Sequence, residues 1–270
     1  MEVNLFDVNG LLTSPVPGKD FSPKKIKIVK NKDNYDGITI ITDKHIVRGK
    51  GKSIKSKIKI AWLWEPQVVH PALYKSIRNV HKDYDYVFSH NENVLNLGKK
   101  CICVPTGMTW IPEENRQIFK KSKKVSAIVS KKKSLRGHRL RHELCKAEGV
   151  RKFGTSVKYI KDKTDALKDF MFSVAVENCS IKHYFTEKLI DCFVTGTVPI
   201  YWGCTNLEKY FNMDGVIKVK CLKHLNNMMP NLNANKYKSM LPAIEDNYNR
   251  ALKYVNMFDW VYDNILKDLK

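Results

Sequence analysis

Short apolar runs separated by polar and turn-forming residues recur along the first half of the chain. Residues 25–29, 37–42, 58–63, 84–88 and 101–104 read as β-strands, and 71–80 reads as a helix between two of them. Such alternation predicts a parallel α/β unit. Residues 1–23, with Pro15, Pro17 and Pro23, are poor in periodic pattern and read as a lead-in segment. The second half opens with a buried strand at 125–129 and the basic loop SKKKSLRG. An amphipathic helix follows at 138–148 with Leu140 and Leu144 inward, then a strand at 150–153 closed by Gly154, and another at 172–176. After a strand at 216–219 the pattern becomes helical. Ile244, Tyr248, Leu252, Val255, Phe258, Val261 and Ile265 form one apolar stripe, expected to be core packing that crosses back onto the first half. The lysine-rich segment 113–124 separates the halves. The expected organisation is therefore a first domain at 1–112, a linker at 113–124, a second domain at 125–236 and terminal helices at 237–270.

Composition narrows the function. A chain of 270 residues accommodates two small domains, each with a core. No stretch is apolar enough to span a bilayer, and MEVNLFDVNG has neither a basic n-region nor an apolar h-region, so a soluble, cytoplasmic protein is expected. Seven cysteines form no CxxC pair and read as reduced, mostly buried thiols. The net charge of +21 suits an anionic ligand, although most of the lysines read as a solvated surface. Few aromatics interleave with them, which argues against a nucleic-acid stacking platform, while peripheral contact with an acidic membrane stays open. His138 and His142 share a helix face without a third ligand, and Asp83-Tyr-Asp85 starts its strand instead of following it. Neither points to a metal.

The block FSVAVENCSIKHYFTEKLIDCFVTGTVPIYWG, residues 172–203, concentrates the candidate chemistry. Glu177, Asn178 and Ser180 interrupt a strand at its carboxyl end, where open α/β sheets bind ligands. Thr186 can cap a helix with the apolar stripe Leu189, Ile190, Cys192 and Phe193, and Gly196 can stop it. Glu187 and Lys188 then fall in the first turn, where backbone amides favour anions.

The pattern EN, YFTEKL and GTVPIYWG at this mutual spacing resembles the donor-binding signature of the GT-B-fold fucosyltransferases of glycosyltransferase family 10. The wording is also close to short glycosyltransferases of large DNA viruses and bacteria. The resemblance covers roughly the last half of the chain. It implies two Rossmann-like domains with a cleft between them and a C-terminal helical segment. The implied activity is inverting transfer of a sugar, fucose from GDP-fucose, onto a glycan or glycoprotein acceptor, with no cofactor or metal required. A UDP-sugar such as UDP-xylose is the alternative donor, and a basic nucleic-acid or membrane-surface protein without activity is the alternative of another class.

By the same resemblance Lys188 and an arginine near the 138–148 helix would hold the diphosphate. Glu187, Asn178 and Tyr184 would line the nucleoside and sugar site. Counting back from Leu144 sets the family's arginine position at Gly137, a departure from the pattern. Of Arg136, Arg139 and Arg141, Arg139 in the first turn is expected to reach the crevice. Glu177 suits a direct or a structural role equally. In AWLWEPQ, Glu65-Pro66 resembles the family's Glu-Ser-Pro turn without its serine, which makes Glu65 the expected base, with His70 and His90 as alternatives. Trp62, Trp64 and Trp110 could stack on a sugar or pack in the core.

Overall fold

The computed structural model describes residues 1–7 and 19–269. The first sheet contains β1 (Glu2–Phe6), β2 (Lys27–Lys30), β3 (Asn34–Thr42), β4 (Lys55–Trp62), β5 (Tyr86–Ser89) and β6 (Cys101–Cys103), all parallel in the order β2-β1-β3-β4-β5-β6. The second contains β7 (Lys123–Ile128), β8 (Val150–Phe153), β9 (Phe170–Val176), β10 (Val198–Trp202) and β11 (Ile217–Lys218), also parallel, in the order β11-β10-β9-β7-β8.

The reading of residues 1–23 as a lead-in segment needs correction, because β1 is an interior strand of the first sheet, paired with β2 on one side and β3 on the other. Val3, Asn4, Leu5 and Phe6 are all buried, so the strand shows no alternation. Asn4 is tolerated there because its amide donates to Lys32 O at 2.8 Å and Thr39 Oγ1 at 3.1 Å, and its Oδ1 accepts from Lys32 N at 3.1 Å. Pro15 and Pro17 lie outside the described residues.

Each sheet is covered on both faces, as parallel sheets require. The helix Pro71–Val80 places Leu73, Tyr74 and Ile77 against Phe6, Ile41, Ala61 and Val87. On the opposite face Val3, Leu5, Ile40, Ile60 and Phe88 pack with Met257, Phe258, Val261 and Leu266. The chain's last helix, Met257–Asn264, thus sits on the first sheet. It does not continue the helix Leu241–Ala251, because Leu252–Tyr254 tightens into a 3₁₀ turn and Asn256 recaps by accepting from Phe258 N and Asp259 N. In the second body the helix Arg136–Leu144 covers one face of β9, and the helix Glu187–Phe193 covers the other. Among the described residues no helix is long and apolar enough to cross a membrane.

The second sheet defines the site. From β7 the chain moves to β8 on one side and then to β9 on the other, so the connections leaving β7 and β9 diverge. The crevice outside their carboxyl ends is a topological switch point.

Candidate active site

A cleft of about 580 Å³ lies between the two bodies. Trp64, Glu65 and residues 106–110 line it from the first half. Ser130, Lys132, His138, Arg141, Lys163, Asn178, Tyr184, Glu187 and Lys188 line it from the second, with Met257 and Phe258 of the last helix.

The floor is built on Glu177, which is 0% exposed and does not reach the cleft. Its Oε1 accepts from Thr186 N at 2.8 Å, its Oε2 accepts from Thr186 Oγ1 at 2.7 Å, and Lys188 Nζ lies 3.5 Å away. Of its two expected roles the structural one holds: Glu177 fixes the residue that caps the helix Glu187–Phe193. Burial raises its pKa, against the pull of Lys188.

Lys188 and Glu187 occupy the first turn above this floor. Lys188 Nζ donates to Thr186 Oγ1 at 2.9 Å and to Glu187 Oε1 at 3.1 Å. Burial works against its charge, but Glu187 and Glu177 outweigh that and raise its pKa. Burial would likewise raise Glu187. Lys188 and Lys163 prevail, with hydrogen bonds from Lys188 and Thr186, and hold it well below the usual carboxylate range. The cleft therefore presents a charged carboxylate and an ammonium side by side.

The arginine expectation is corrected. Arg139 is exposed, donates to Ser134 O at 2.6 Å and does not line the cleft. Arg136 lies over the Trp202 ring, 5.4 Å from its centroid. Arg141 is the arginine on the cleft wall; it is 7% exposed and donates from Nη2 to Val176 O. The reason is the phase of the helix. Its inner face carries Gly137, His138, Leu140, Arg141 and Leu144, which turns Arg139 to solvent. Gly137 has its own cause: a Cβ there would fall 1.8 Å from Glu177 O. The helix enters so close to the β9 exit that Gly137 N donates to Asn178 O at 3.3 Å. A side chain at position 137 would collide with the β9 exit, and the arginine that reaches the cleft wall, Arg141, stands one turn later.

His138 and Asn178 complete that wall. His138 Nε2 lies 3.1 Å from Asn178 Oδ1, and Leu135 N donates to its Nδ1 at 3.3 Å. That arrangement places the proton on Nε2. Asn178 Nδ2 lies 3.5 Å from the Tyr184 hydroxyl. Tyr184 is buried against the His90 ring, 5.2 Å between centroids, and burial raises its pKa far enough to keep the phenol protonated.

Opposite stands Glu65. The backbone around it is pinned by Trp64 N donating to Asp43 Oδ1 at 2.9 Å and by Tyr74 OH donating to Glu65 O at 2.9 Å. Among the described residues no hydrogen bond reaches its carboxylate. Burial raises its pKa, Glu187 adds to this, and Lys188 and Lys132 oppose it. A raised, unengaged carboxylate facing the Lys188 wall is the arrangement a general base needs. The alternative bases lie elsewhere. His90 is 1% exposed, with burial pushing its pKa down to about 3, and neither it nor His70 lines the cleft. Trp62 is core, whereas Trp64 and Trp110 line the cleft.

Residues 106–111 and Lys163 carry no motif in the sequence, yet they join the halves. Asp191 Oδ1 accepts from Thr109 Oγ1 and Trp110 N, both at 2.7 Å, and its Oδ2 lies 3.1 Å from Lys163 Nζ. That ammonium also stands 4.1 Å from the Trp110 ring centroid and 3.6 Å from Glu187 Oε1. Thr106 Oγ1 donates to Phe185 O at 2.6 Å.

Residues 118–261, more than half of the chain, match the family model for the C-terminal part of glycosyltransferase family 10 (fucosyltransferase). An α-(1,3)-fucosyltransferase of Helicobacter pylori is 35% identical over 65 residues, 24% of this chain and 14% of that protein. A putative fucosyltransferase of Acanthamoeba polyphaga mimivirus is 31% identical over 80 residues, 27% of this chain and 13% of its own. The matched stretches thus span less than a fifth of either relative. Among solved structures, an α1,3-fucosyltransferase with GDP-fucose superposes over 98% of this chain and 91% of its own, with a TM-score of 0.58 at 14% identity. An α-glucosyltransferase in complex with UDP-glucose and DNA superposes over 97% and 98%, with a TM-score of 0.63 at 11% identity. These likenesses establish the shared architecture of two parallel sheets facing a cleft, the GT-B fold. With the family model matching residues 118–261, more than half of the chain, this chain belongs to glycosyltransferase family 10, the fucosyltransferase family.

Proposed function

We propose that this protein is an inverting glycosyltransferase that moves fucose from GDP-fucose onto a glycan hydroxyl. The observation that carries the reading is the cleft itself, in which Glu65 from the first half faces Lys188, Glu187 and Arg141 from the second. Glu65 accepts the proton of the acceptor hydroxyl as that oxygen attacks the anomeric carbon. The bond to the departing phosphate breaks in the same step, which inverts the centre. The electron pair leaves with GDP, whose diphosphate gains its stabilisation from the ammonium of Lys188 and the guanidinium of Arg141. Glu187, kept ionised, accepts hydrogen bonds from hydroxyls of the sugar or ribose, and Asn178 and Tyr184 orient them. In this reading residues 1–112 present the acceptor, 125–236 bind the donor, and 113–124 form the boundary.

A panel of GDP- and UDP-sugars, read by thermal shift and nucleotide release, tests the proposal. GDP-fucose should stabilise the protein and release GDP. Glu65→Gln should retain the shift and lose the release, and Lys188→Ala should weaken the shift. A panel without any stabilising or hydrolysed donor overturns the reading, and preference for a UDP-sugar changes the donor.

A further inference from the structure

The two most exposed large apolar side chains among the described residues are Tyr159, 72% exposed, and Val157, 62% exposed, and they sit two positions apart on one loop. That loop follows β8. It is held by Ser156 N donating to Val129 O at 3.3 Å and by Gly154 N donating to Lys158 O at 2.7 Å, so its tip is presented by the second sheet. Beside Val157 lies a concavity lined by Lys131, Lys133, His142, Lys146 and Lys152. Lys158 and Lys161 flank Tyr159 on its other side. None of these lysines forms an ion pair among the described residues. The nearby acids are engaged: Asp165 with Lys168 at 2.9 Å, and Asp162 with Thr164 N at 2.8 Å. Within the basic loop, Lys131 and Lys133 line this concavity whereas Lys132 lines the donor cleft.

We propose that this face, Val157 and Tyr159 ringed by Lys131, Lys133, Lys146, Lys152, Lys158 and Lys161, docks on a membrane surface rich in anionic phospholipid. An apolar tip within a ring of unpaired lysines matches such a surface in two ways. The side chains enter the headgroup boundary, where tyrosine is favoured, and the ammonium groups meet the phosphates. A nucleic acid would use the charge but has no site for Val157. Thr155, Tyr159 and Lys161 also line the main cleft, so docking brings the cleft rim to headgroup level. The inference concerns binding alone and stands apart from the donor reading.

Co-sedimentation with vesicles of phosphatidylcholine, with and without about one-third phosphatidylserine, tests it. The wild type should bind the phosphatidylserine vesicles only. Lys131→Gln/Lys146→Gln/Lys152→Gln should bind roughly a hundredfold more weakly, at about fivefold per lysine near the surface. A control triple of equal charge on the first body, Lys52→Gln/Lys55→Gln/Lys57→Gln, should bind as the wild type does. Val157→Ser, which leaves the charge unchanged, should lose about tenfold. Circular dichroism and thermal unfolding of each variant confirm folding without reference to nucleotide binding or transfer. Equal losses in the two triples, wild-type binding by Val157→Ser, or retention on duplex DNA in preference to vesicles would overturn the proposal.

Discussion

Replacing Gly137 by alanine should damage the protein out of proportion to the one methyl added. The new Cβ would stand 1.8 Å from Glu177 O, 2.8 Å from Glu177 C and 2.9 Å from Asn178 C, all backbone atoms that no side-chain rotation can move away. Restoring an ordinary separation requires the helix Arg136–Leu144 and the β9 exit to part by about 1.5 Å, which a close-packed interior resists. Two hydrogen bonds are then lost, Gly137 N to Asn178 O at 3.3 Å and His138 Nε2 to Asn178 Oδ1 at 3.1 Å. At about 1 kcal/mol each, with about 1–3 kcal/mol of overpacking strain, they outweigh a helix-propensity gain of at most about 1 kcal/mol. The net loss is about 2–4 kcal/mol, or roughly 4–7 °C in Tm for a chain of this size. Because the displaced wall carries Arg141 and Asn178, transfer should fall about a hundredfold as well. Thermal denaturation with and without GDP, together with GDP titration calorimetry, measures both effects. A Gly137→Ala protein with wild-type Tm and GDP affinity would refute the argument that a side chain at position 137 collides with the β9 exit.

Three further outcomes follow from the same geometry. Arg141→Ala should weaken GDP binding by about ten- to a hundredfold, the loss of a charge-assisted hydrogen bond, whereas Arg139→Ala should change it less than about twofold; calorimetry showing the reverse order would restore Arg139. Because burial raises Glu65 and a base works only when deprotonated, kcat/KM should fall on the acid side through a pKa above the ordinary 4.5. Lys132→Gln, by removing a cation that lowers that pKa, should move the limb to higher pH, and a downward move would contradict the assignment. Glu177→Gln places an amide where Thr186 needs two acceptors and should cost about 1–3 kcal/mol in urea unfolding, against no change if the carboxylate is dispensable.

Where burial was one-sided or a turn residue was diagnostic, the chain announced its structure. Residues 71–80 and 150–153 have the bounds their pattern suggests, and Thr186 caps the helix expected of it by accepting from Lys188 N. The first strand escaped because a strand buried on both faces leaves no alternation to read. The site divides in the same way. Glu187, Lys188, Asn178 and Tyr184 lie in one continuous block and share the cleft with Glu65. Arg141 was hidden because Leu140 and Leu144 mark the inner face without marking which of the flanking arginines shares it: Arg141, three residues before Leu144, is buried with them, whereas Arg139 turns to solvent. Lys163 and Thr109 act through Asp191, a contact spanning 82 positions between Thr109 and Asp191, and no local pattern carries such information.

The most direct measurement of the central claim is GDP release from GDP-fucose by the wild type and by Glu65→Gln, with GDP-fucose affinity determined for both by calorimetry. The account predicts equal affinities, with release by the variant lowered about a hundredfold or more, the usual loss when a general base is removed. Equal release at equal affinity would place the base elsewhere, and absence of GDP-fucose binding by the wild type would contradict the donor site built on Lys188, Glu187 and Arg141.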